Sequence, residues 1–287
     1  MDQEPAATRR YQIEIAGSAL SVLEAGSGAP LLLGQGYLWD SEMWRPQVTA
    51  LAARFRVIIP ELWGHGGSGA MPEGTQTLED LARQMLALLD ALAIERCVVI
   101  GSSVGGMWGV HLAAMAPQRV AGLVVMNSYV GPEPEAARQG YAALLNQVEA
   151  IGAVSPPIAE YIVPLFFAAD VEQRSPELPA ALRQRLAALD GAAIRQSIVP
   201  LGRMIFDRGD ARNILADIEA PTLVVTADGD VARSPRESAE MARMMKAELV
   251  MLNDCGHTAT LEQPDMVNAV LAGFLDALGW GEGEAAG

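Results

Sequence analysis

The chain has 287 residues, of which 51% are hydrophobic, so it can bury a sizeable core as one large domain or two small ones. Its formal net charge of −15 repels phosphate backbones and anionic membrane surfaces, and we expect neither nucleic acid nor a membrane as a partner. No apolar run reaches the length of a transmembrane helix, and the acidic residues 1–5 are not followed by the apolar segment of a secretory signal.

The first part of the chain alternates between extended and helical patterns. Runs rich in apolar and β-branched residues predict strands near residues 11–15, 20–24, 31–34 and 55–59. Helical and extended patterns alternate beyond them. Such alternation is typical of a mostly parallel sheet with helices on its faces, so we predict an α/β fold.

A G-x-S-x-G motif at residues 101–105 follows the apolar run of residues 97–100. The glycines let the backbone turn sharply from strand to helix and hold Ser103 strained, with its hydroxyl exposed as a nucleophile. The alternative is that Ser103 only caps the helix predicted for residues 104–116. A nucleophile also needs a histidine to remove its proton and a carboxylate to orient that histidine.

The regular alternation stops after the strand predicted at residues 120–127. From residue 129 to residue 213 the patterns are helical and interrupted by prolines, without a convincing strand. The pattern indicates a helical segment inserted between two strands of the sheet.

Two carboxylates follow the strand predicted at residues 221–226. Asp228 precedes a glycine and can be used within that turn, so Asp230 is favoured as the functional carboxylate.

The chain has three histidines. His257 follows the apolar residues 249–252 and lies on a loop, where functional side chains are common. We interpret His65, in a glycine-rich turn, and His111, on a predicted helix, as structural. The candidate catalytic residues are therefore Ser103, Asp230 and His257, in that order along the chain.

With these residues identified, the sequence resembles the α/β-hydrolase superfamily from about residue 11 to about residue 278. Besides the serine motif, residues 256–264 look like the histidine loop of that family, and residues 64–68 look like its glycine turn. The resemblance implies an eight-stranded, mostly parallel sheet flanked by helices. It also implies a core of residues 1–128 and 214–287, with residues 129–213 as a helical lid.

The resemblance further implies an oxyanion hole made by the backbone N–H groups of Tyr37 and Val104. Gln35 stands where many relatives have histidine, which puts in doubt any hydrogen bond that the histidine side chain would make. The same chemistry needs no cofactor and no metal.

Four apolar side chains are candidates for substrate binding, namely Trp39, Phe166, Phe167 and Met204. The alternative is that each packs within the lid or the core, since helices must bury an apolar face.

The expected function is hydrolysis of a small carboxylic ester or lactone through an acyl-enzyme, as in serine esterases and 3-oxoadipate enol-lactonases. Three alternatives use the same scaffold: a cofactor-free haloperoxidase-like perhydrolase, a C–C bond hydrolase and a non-catalytic ligand receptor. Cys97, in a predicted core strand, and Cys255, on a loop, suggest free thiols and hence the cytoplasm. The sequence leaves the oligomeric state open.

Overall fold

The structure is a computed structural model that describes residues 8–282. The interpretation of residues 1–5 therefore lies outside the described residues. Within the described range, no helix is long and apolar enough to cross a membrane.

Eight strands form a single sheet. Their bounds are β1 (Thr8–Ile15), β2 (Ser18–Ala25), β3 (Pro30–Gly34), β4 (Arg56–Pro60), β5 (Cys97–Ser102), β6 (Val120–Met126), β7 (Thr222–Ala227) and β8 (Glu248–Leu252). The spatial order is β1-β2-β4-β3-β5-β6-β7-β8. Strand β2 pairs antiparallel with β1 and β4, and every other neighbouring pair is parallel. The predicted mostly parallel sheet is confirmed.

The described residues contain twelve α-helical segments, several of them short. They are α1 (Arg45–Leu51), α2 (Leu78–Ala91), α3 (Val104–Met115), α4 (Glu135–Ile151), α5 (Pro156–Ile162), α6 (Val171–Arg174), α7 (Glu177–Ala188), α8 (Gly191–Ala193), α9 (Val199–Phe206), α10 (Pro235–Met245), α11 (Ala259–Glu262) and α12 (Pro264–Ala277). A π-helical turn, Ile194–Ile198, joins α8 to α9. Helices α4 to α9 lie between β6 and β7, and we call this part of the chain the helical insertion.

The hydrophobic core has two parts, one on each face of the sheet. Successive residues of a strand point to opposite faces. In β3, accordingly, Leu31 and Leu33 belong to one cluster with α1 and α12, whereas Leu32 belongs to the other with α2 and α3. The central strands are covered by helices on both faces, which is why they read as continuous apolar runs.

Parallel strands bring their carboxyl ends to one edge of the sheet. Strands β3, β5, β6, β7 and β8 all end at this edge, and the loops that follow them meet there. Residues that lie far apart in the sequence can therefore form one site.

Candidate active site

Ser103 occupies the turn between β5 and α3. Its backbone has φ 54° and ψ −120°, a region that costs a non-glycine residue of the order of 1–3 kcal/mol. The Ser103 N–H donates to the carbonyl of Met126, and its carbonyl accepts the hydroxyl of Ser128 at 2.7 Å. These bonds hold the strained conformation in place.

The glycines of the motif act through their small size. A Cβ on Gly105 would lie 2.2 Å from the carbonyl oxygen of Gly34, and a Cβ on Gly101 would lie 2.3 Å from that of Gly105. Gly101 and Gly105 both have a negative or extended φ, and the residue with the positive φ is Ser103 itself. The sequence interpretation assigned the sharp turn to the glycines, whereas in the structure they let β3, β5 and α3 approach closely.

The three candidate catalytic side chains meet at the carboxyl edge of the sheet. His257 Nδ1 lies 2.9 Å from Asp230 Oδ2, and His257 Nε2 lies 2.9 Å from Ser103 Oγ. A carboxylate only accepts hydrogen bonds, so Nδ1 carries the proton and Nε2 is free to accept the serine proton. All three residues are at most 9% exposed.

Asp230 is held by four hydrogen bonds. Its Oδ1 accepts the N–H groups of Ala232 at 2.9 Å and Arg233 at 2.8 Å, and its Oδ2 accepts Asn127 Nδ2 at 2.9 Å besides His257. The rival carboxylate, Asp228, is exposed. Sequence reasoning missed Asn127, although its place directly after β6 is the signal that could have found it.

The loop after β3 faces the serine. A Cβ on Gly36 would lie 3.5 Å from Ser103 Cβ. Across residues 8–282, neither the Tyr37 N–H nor the Val104 N–H donates to a protein acceptor. Val104 is also the first residue of α3, where the helix dipole is positive. Both proposed oxyanion donors are therefore free to bind a negative oxygen.

Two buried side chains support this loop. Gln35 Nε2 donates to the carbonyl of Trp39 at 2.5 Å, so the residue that replaces the usual histidine closes the loop onto itself. His65 Nε2 accepts the Leu38 N–H at 3.0 Å, and its Nδ1 donates to the carbonyl of Trp63 at 2.9 Å. Burial lowers the pKa of His65 to about 4, which keeps the imidazole neutral and able to accept.

An apolar cavity of about 70 Å³ lies between the loop after β3 and the helical insertion. Phe166 is one of its walls and packs edge-on against His257, with ring centroids 5.8 Å apart. None of the residues found to line it is charged. They are Tyr37, Leu38, Tyr141, Leu144, Leu145, Val148, Val154, Ile162, Leu165, Phe166, Ile198 and Phe206.

The other three candidate substrate-binding residues lie outside this cavity. Trp39 and Phe167 are both buried and pack against each other, with ring centroids 6.3 Å apart. Trp39 also lines a separate cleft beside Arg185. Met204 lines a third cleft together with His111. Of the four candidates, Phe166 is the one that the structure places against His257.

Both cysteines are free and buried. Cys255 lies two residues before His257, but burial raises the pKa of its thiol to about 12, so the reactive thiolate does not form at neutral pH. Within the described residues, no group of three or more His, Cys, Asp and Glu side chains is placed to hold a metal ion.

The fold and these motifs agree with comparisons to known proteins. The sequence model of the alpha/beta hydrolase family matches residues 25–270, and the chain belongs to this family. It is 30% identical to RutD of Azorhizobium caulinodans, whose name assigns it carbamate hydrolysis, over 87% of this chain and 92% of that protein.

The predicted resemblance to esterases and enol-lactonases is confirmed by two further comparisons. The chain is 27% identical to 3-oxoadipate enol-lactonase 1 of Acinetobacter baylyi, over 91% of this chain and 95% of that protein. The solved structure of a thermophilic esterase from Thermogutta terrifontis, with malate bound, matches with a TM-score of 0.84 at 27% identity. That match covers 94% of this chain and 99% of the esterase.

Proposed function

We propose that this protein is a serine hydrolase that cleaves a small carboxylic ester or lactone through an acyl-enzyme. The observation that carries the proposal is the continuous hydrogen-bonded series from Asp230 through His257 to Ser103, with both contacts at 2.9 Å. The geometry matches the requirement that a serine hydroxyl be activated by a base, which is itself oriented by a carboxylate.

In the first half of the reaction, Ser103 Oγ attacks the carbonyl carbon while its proton passes to His257 Nε2. The carbonyl oxygen becomes negative and is stabilised by the N–H groups of Tyr37 and Val104. The tetrahedral intermediate then collapses and breaks the bond to the alkoxy oxygen. That oxygen takes the proton from His257 and leaves as an alcohol, or as the free hydroxyl end of an opened lactone. The acyl group remains on Ser103 Oγ.

In the second half, His257 Nε2 removes a proton from water as the water oxygen attacks the acyl carbonyl. The same two N–H groups stabilise the second oxyanion. Collapse breaks the bond to Ser103 Oγ, which regains its proton from His257, and the carboxylic acid is released. Asp230 remains a carboxylate and stabilises the transient imidazolium.

The helical insertion fits the role of a lid. Under this proposal residues 129–213 cover a core of residues 1–128 and 214–287, exclude water and shape the substrate site. Phe166 of the insertion already contacts the imidazole of His257. At about 70 Å³, the apolar cavity has room for about two waters, since a water takes up roughly 30 Å³ in the liquid. We therefore assign it to a short, uncharged acyl or alkoxy group.

Carbamate hydrolysis is the second candidate, favoured by the name of the 30% identical relative. Attack of Ser103 on the carbonyl of a carbamate ester expels the same kind of alcohol but leaves a carbamoyl group on Ser103 Oγ in place of an acyl group, and water then removes it. Comparing matched p-nitrophenyl esters and p-nitrophenyl carbamates separates the two candidates.

The decisive experiment combines a fluorophosphonate probe, p-nitrophenyl esters of graded chain length and Ser103→Ala. We expect labelling and turnover to disappear in this variant and to persist in Ser102→Ala, the buried serine next to it. The best substrate should have a short acyl chain.

Unchanged turnover in Ser103→Ala would contradict the proposal. Peroxide-dependent oxidation in carboxylate buffer, with little ester turnover, would favour a perhydrolase. Cleavage of a vinylogous diketone without ester turnover would favour a C–C bond hydrolase, and ligand binding without repeated turnover would favour a receptor.

A further inference from the structure

The side chain of Tyr37 crosses from the loop after β3 into the helical insertion. Its hydroxyl donates to the carbonyl of Ile198 at 2.7 Å, and the bond is buried. The same residue supplies one of the two N–H groups proposed for the oxyanion hole. One residue therefore links that hole to a segment 161 positions away in the sequence.

The acceptor belongs to an irregular part of the insertion. Ile198 ends the π-helical turn Ile194–Ile198. A π turn interrupts the regular hydrogen-bond pattern of a helix, and such turns are frequent at functional sites. Here the carbonyl at the end of the turn accepts a bond from outside its own helix.

Space for the hydroxyl is provided by a glycine one turn further on. A Cβ on Gly202, in α9, would lie 2.7 Å from the Tyr37 hydroxyl oxygen and 2.8 Å from Leu145 Cδ2. Glycine is unfavourable in a helix interior, so its presence here needs a local reason. The close approach of the Tyr37 hydroxyl and of Leu145 supplies one.

The ring of Tyr37 is held from two sides. It packs edge-on against His65, with ring centroids 5.8 Å apart, and against Phe206, with centroids 6.0 Å apart. Burial raises the pKa of Tyr37 above its usual range, so the hydroxyl stays protonated and acts as a donor. A buried hydroxyl without a partner would be costly, which favours the bond whenever the insertion is in place.

We propose that Tyr37 is a positioning residue whose hydroxyl couples the seating of the helical insertion to the geometry of the oxyanion hole. The inference rests on the proposed serine hydrolase function. Tyr37, Ile198 and Phe206 also line the apolar cavity. A substrate group that fills the cavity packs against both partners of the hydrogen bond and holds the Tyr37 N–H in register with the carbonyl oxygen.

The test begins with Tyr37→Phe, which removes only the hydroxyl. We expect kcat for a short p-nitrophenyl ester to fall about tenfold, because displacing one oxyanion donor reduces turnover. KM should change by less than about twofold, since the cavity keeps its shape. The matched control is Tyr129→Phe, which removes another tyrosine hydroxyl that donates to Glu240 at 2.7 Å, away from the cavity. It should leave kcat unchanged.

A second pair of variants keeps the inference testable if folding is affected. Gly202→Ala places a methyl group against the hydroxyl and should lower kcat in the same way. In the Tyr37→Phe background the hydroxyl is gone and the methyl group meets mainly Leu145 Cδ2, so Gly202→Ala should lower kcat less than it does in the wild type. Such non-additivity is expected when both changes act on one contact, whereas losses at independent sites add. Thermal unfolding of each variant identifies any loss due to misfolding.

Three results would contradict the coupling. If the wild type is active and Tyr37→Phe retains its kcat, the coupling is wrong while the proposed function stands. Additive losses in the double variant would also overturn it. If the wild type neither turns over esters nor labels at Ser103, the proposed function fails and the coupling fails with it.

Discussion

Asp230 illustrates how much of the candidate site consists of residues outside the catalytic motifs. His257 supplies one of its four hydrogen bonds, and two come from the backbone of the loop that follows. The fourth comes from Asn127, which directly follows β6 and has φ 47°. Asparagine tolerates this left-handed conformation better than most residues. Asn127 therefore suits both the backbone and the carboxylate.

Replacing Asn127 with alanine should weaken the support of Asp230. A hydrogen bond to a charged group is worth about 1.5–3 kcal/mol, so we expect kcat/KM to fall by about 10- to 100-fold. Steady-state kinetics with a short ester measure the effect. Asn146→Ala, on an exposed face of α4, is the control and should behave like the wild type. Equal activity of the two variants would show that the two backbone bonds and His257 hold Asp230 without Asn127.

His65 predicts a pH dependence of stability. Its pKa is lowered from 6.5 to about 4 by burial, so between these values the unfolded chain binds a proton that the folded chain does not. The contribution of neutral His65 to the free energy of unfolding is therefore fully present above about pH 6.5. It falls by about 3 kcal/mol as the pH is lowered towards 4.

His65→Gln removes this titration while keeping an acceptor for the Leu38 N–H. We expect the wild type to lose stability relative to this variant by about 3 kcal/mol between pH 7 and pH 4. Urea unfolding at several pH values measures the difference. Other titrating groups are common to both proteins and cancel. A difference that does not change with pH would contradict a neutral, buried His65.

At the scale of elements, a buried ionic cluster joins three segments around the site. Glu133 lies just before α4, Arg208 lies just after α9, and Arg233 belongs to the loop that carries Asp230. Glu133 Oε1 accepts Arg208 Nη1 at 2.6 Å and also pairs with Arg233. All three residues are at most 9% exposed. The cluster thus ties both ends of the helical insertion to the loop of the candidate catalytic carboxylate.

Glu133→Gln should destabilise the protein strongly, because it leaves two buried guanidinium groups without their shared carboxylate. Removing one partner of a buried ion pair costs about 3–5 kcal/mol. Glu135→Gln, two residues further on, removes an exposed carboxylate that pairs with Arg138 and accepts Gln139 Nε2, and it should change the free energy of unfolding far less. Chemical denaturation of both variants gives the comparison. Similar small losses would mean that the cluster adds little to the seating of the insertion.

At the scale of the whole molecule, the sequence predicts the residues that lie just after the ends of parallel strands. Ser103 directly follows β5, while Asp230 and His257 lie a few residues beyond β7 and β8, and parallel strands bring these positions together. The same reasoning does not separate Phe166 from Phe167. One packs against His257 and lines the cavity, whereas the other packs against Trp39 in the core.

Contacts between residues far apart in the chain also could not be predicted from one sequence. The approach of Arg208 and Arg233 to Glu133 depends on how the insertion packs on the core. In the sequence, these three residues cannot be told apart from the many other charged residues, which are typical of a solvated surface. The hydrogen bond from Tyr37 to Ile198 depends on a π turn that no propensity predicts.

The overall charge makes a prediction about substrates. With 20 basic and 35 acidic residues, the molecule carries a net charge of −15 and repels anions at low salt. No cation lines the apolar cavity in the described part of the chain. We therefore expect p-nitrophenyl butyrate to be a better substrate than the anionic p-nitrophenyl hemisuccinate.

Salt should reduce this difference only in part. The screening length falls from about 30 Å at 0.01 M to about 8 Å at 0.15 M ionic strength, so long-range repulsion weakens over this range. We expect kcat/KM for the anionic ester to rise several-fold and that for the neutral ester to stay nearly constant. The remaining gap reflects transfer of a carboxylate into an apolar cavity, which salt does not relieve. Preference for the anionic ester at low salt would instead mean that a guanidinium group reaches the bound acyl chain, and the assignment of the cavity to uncharged groups would be wrong.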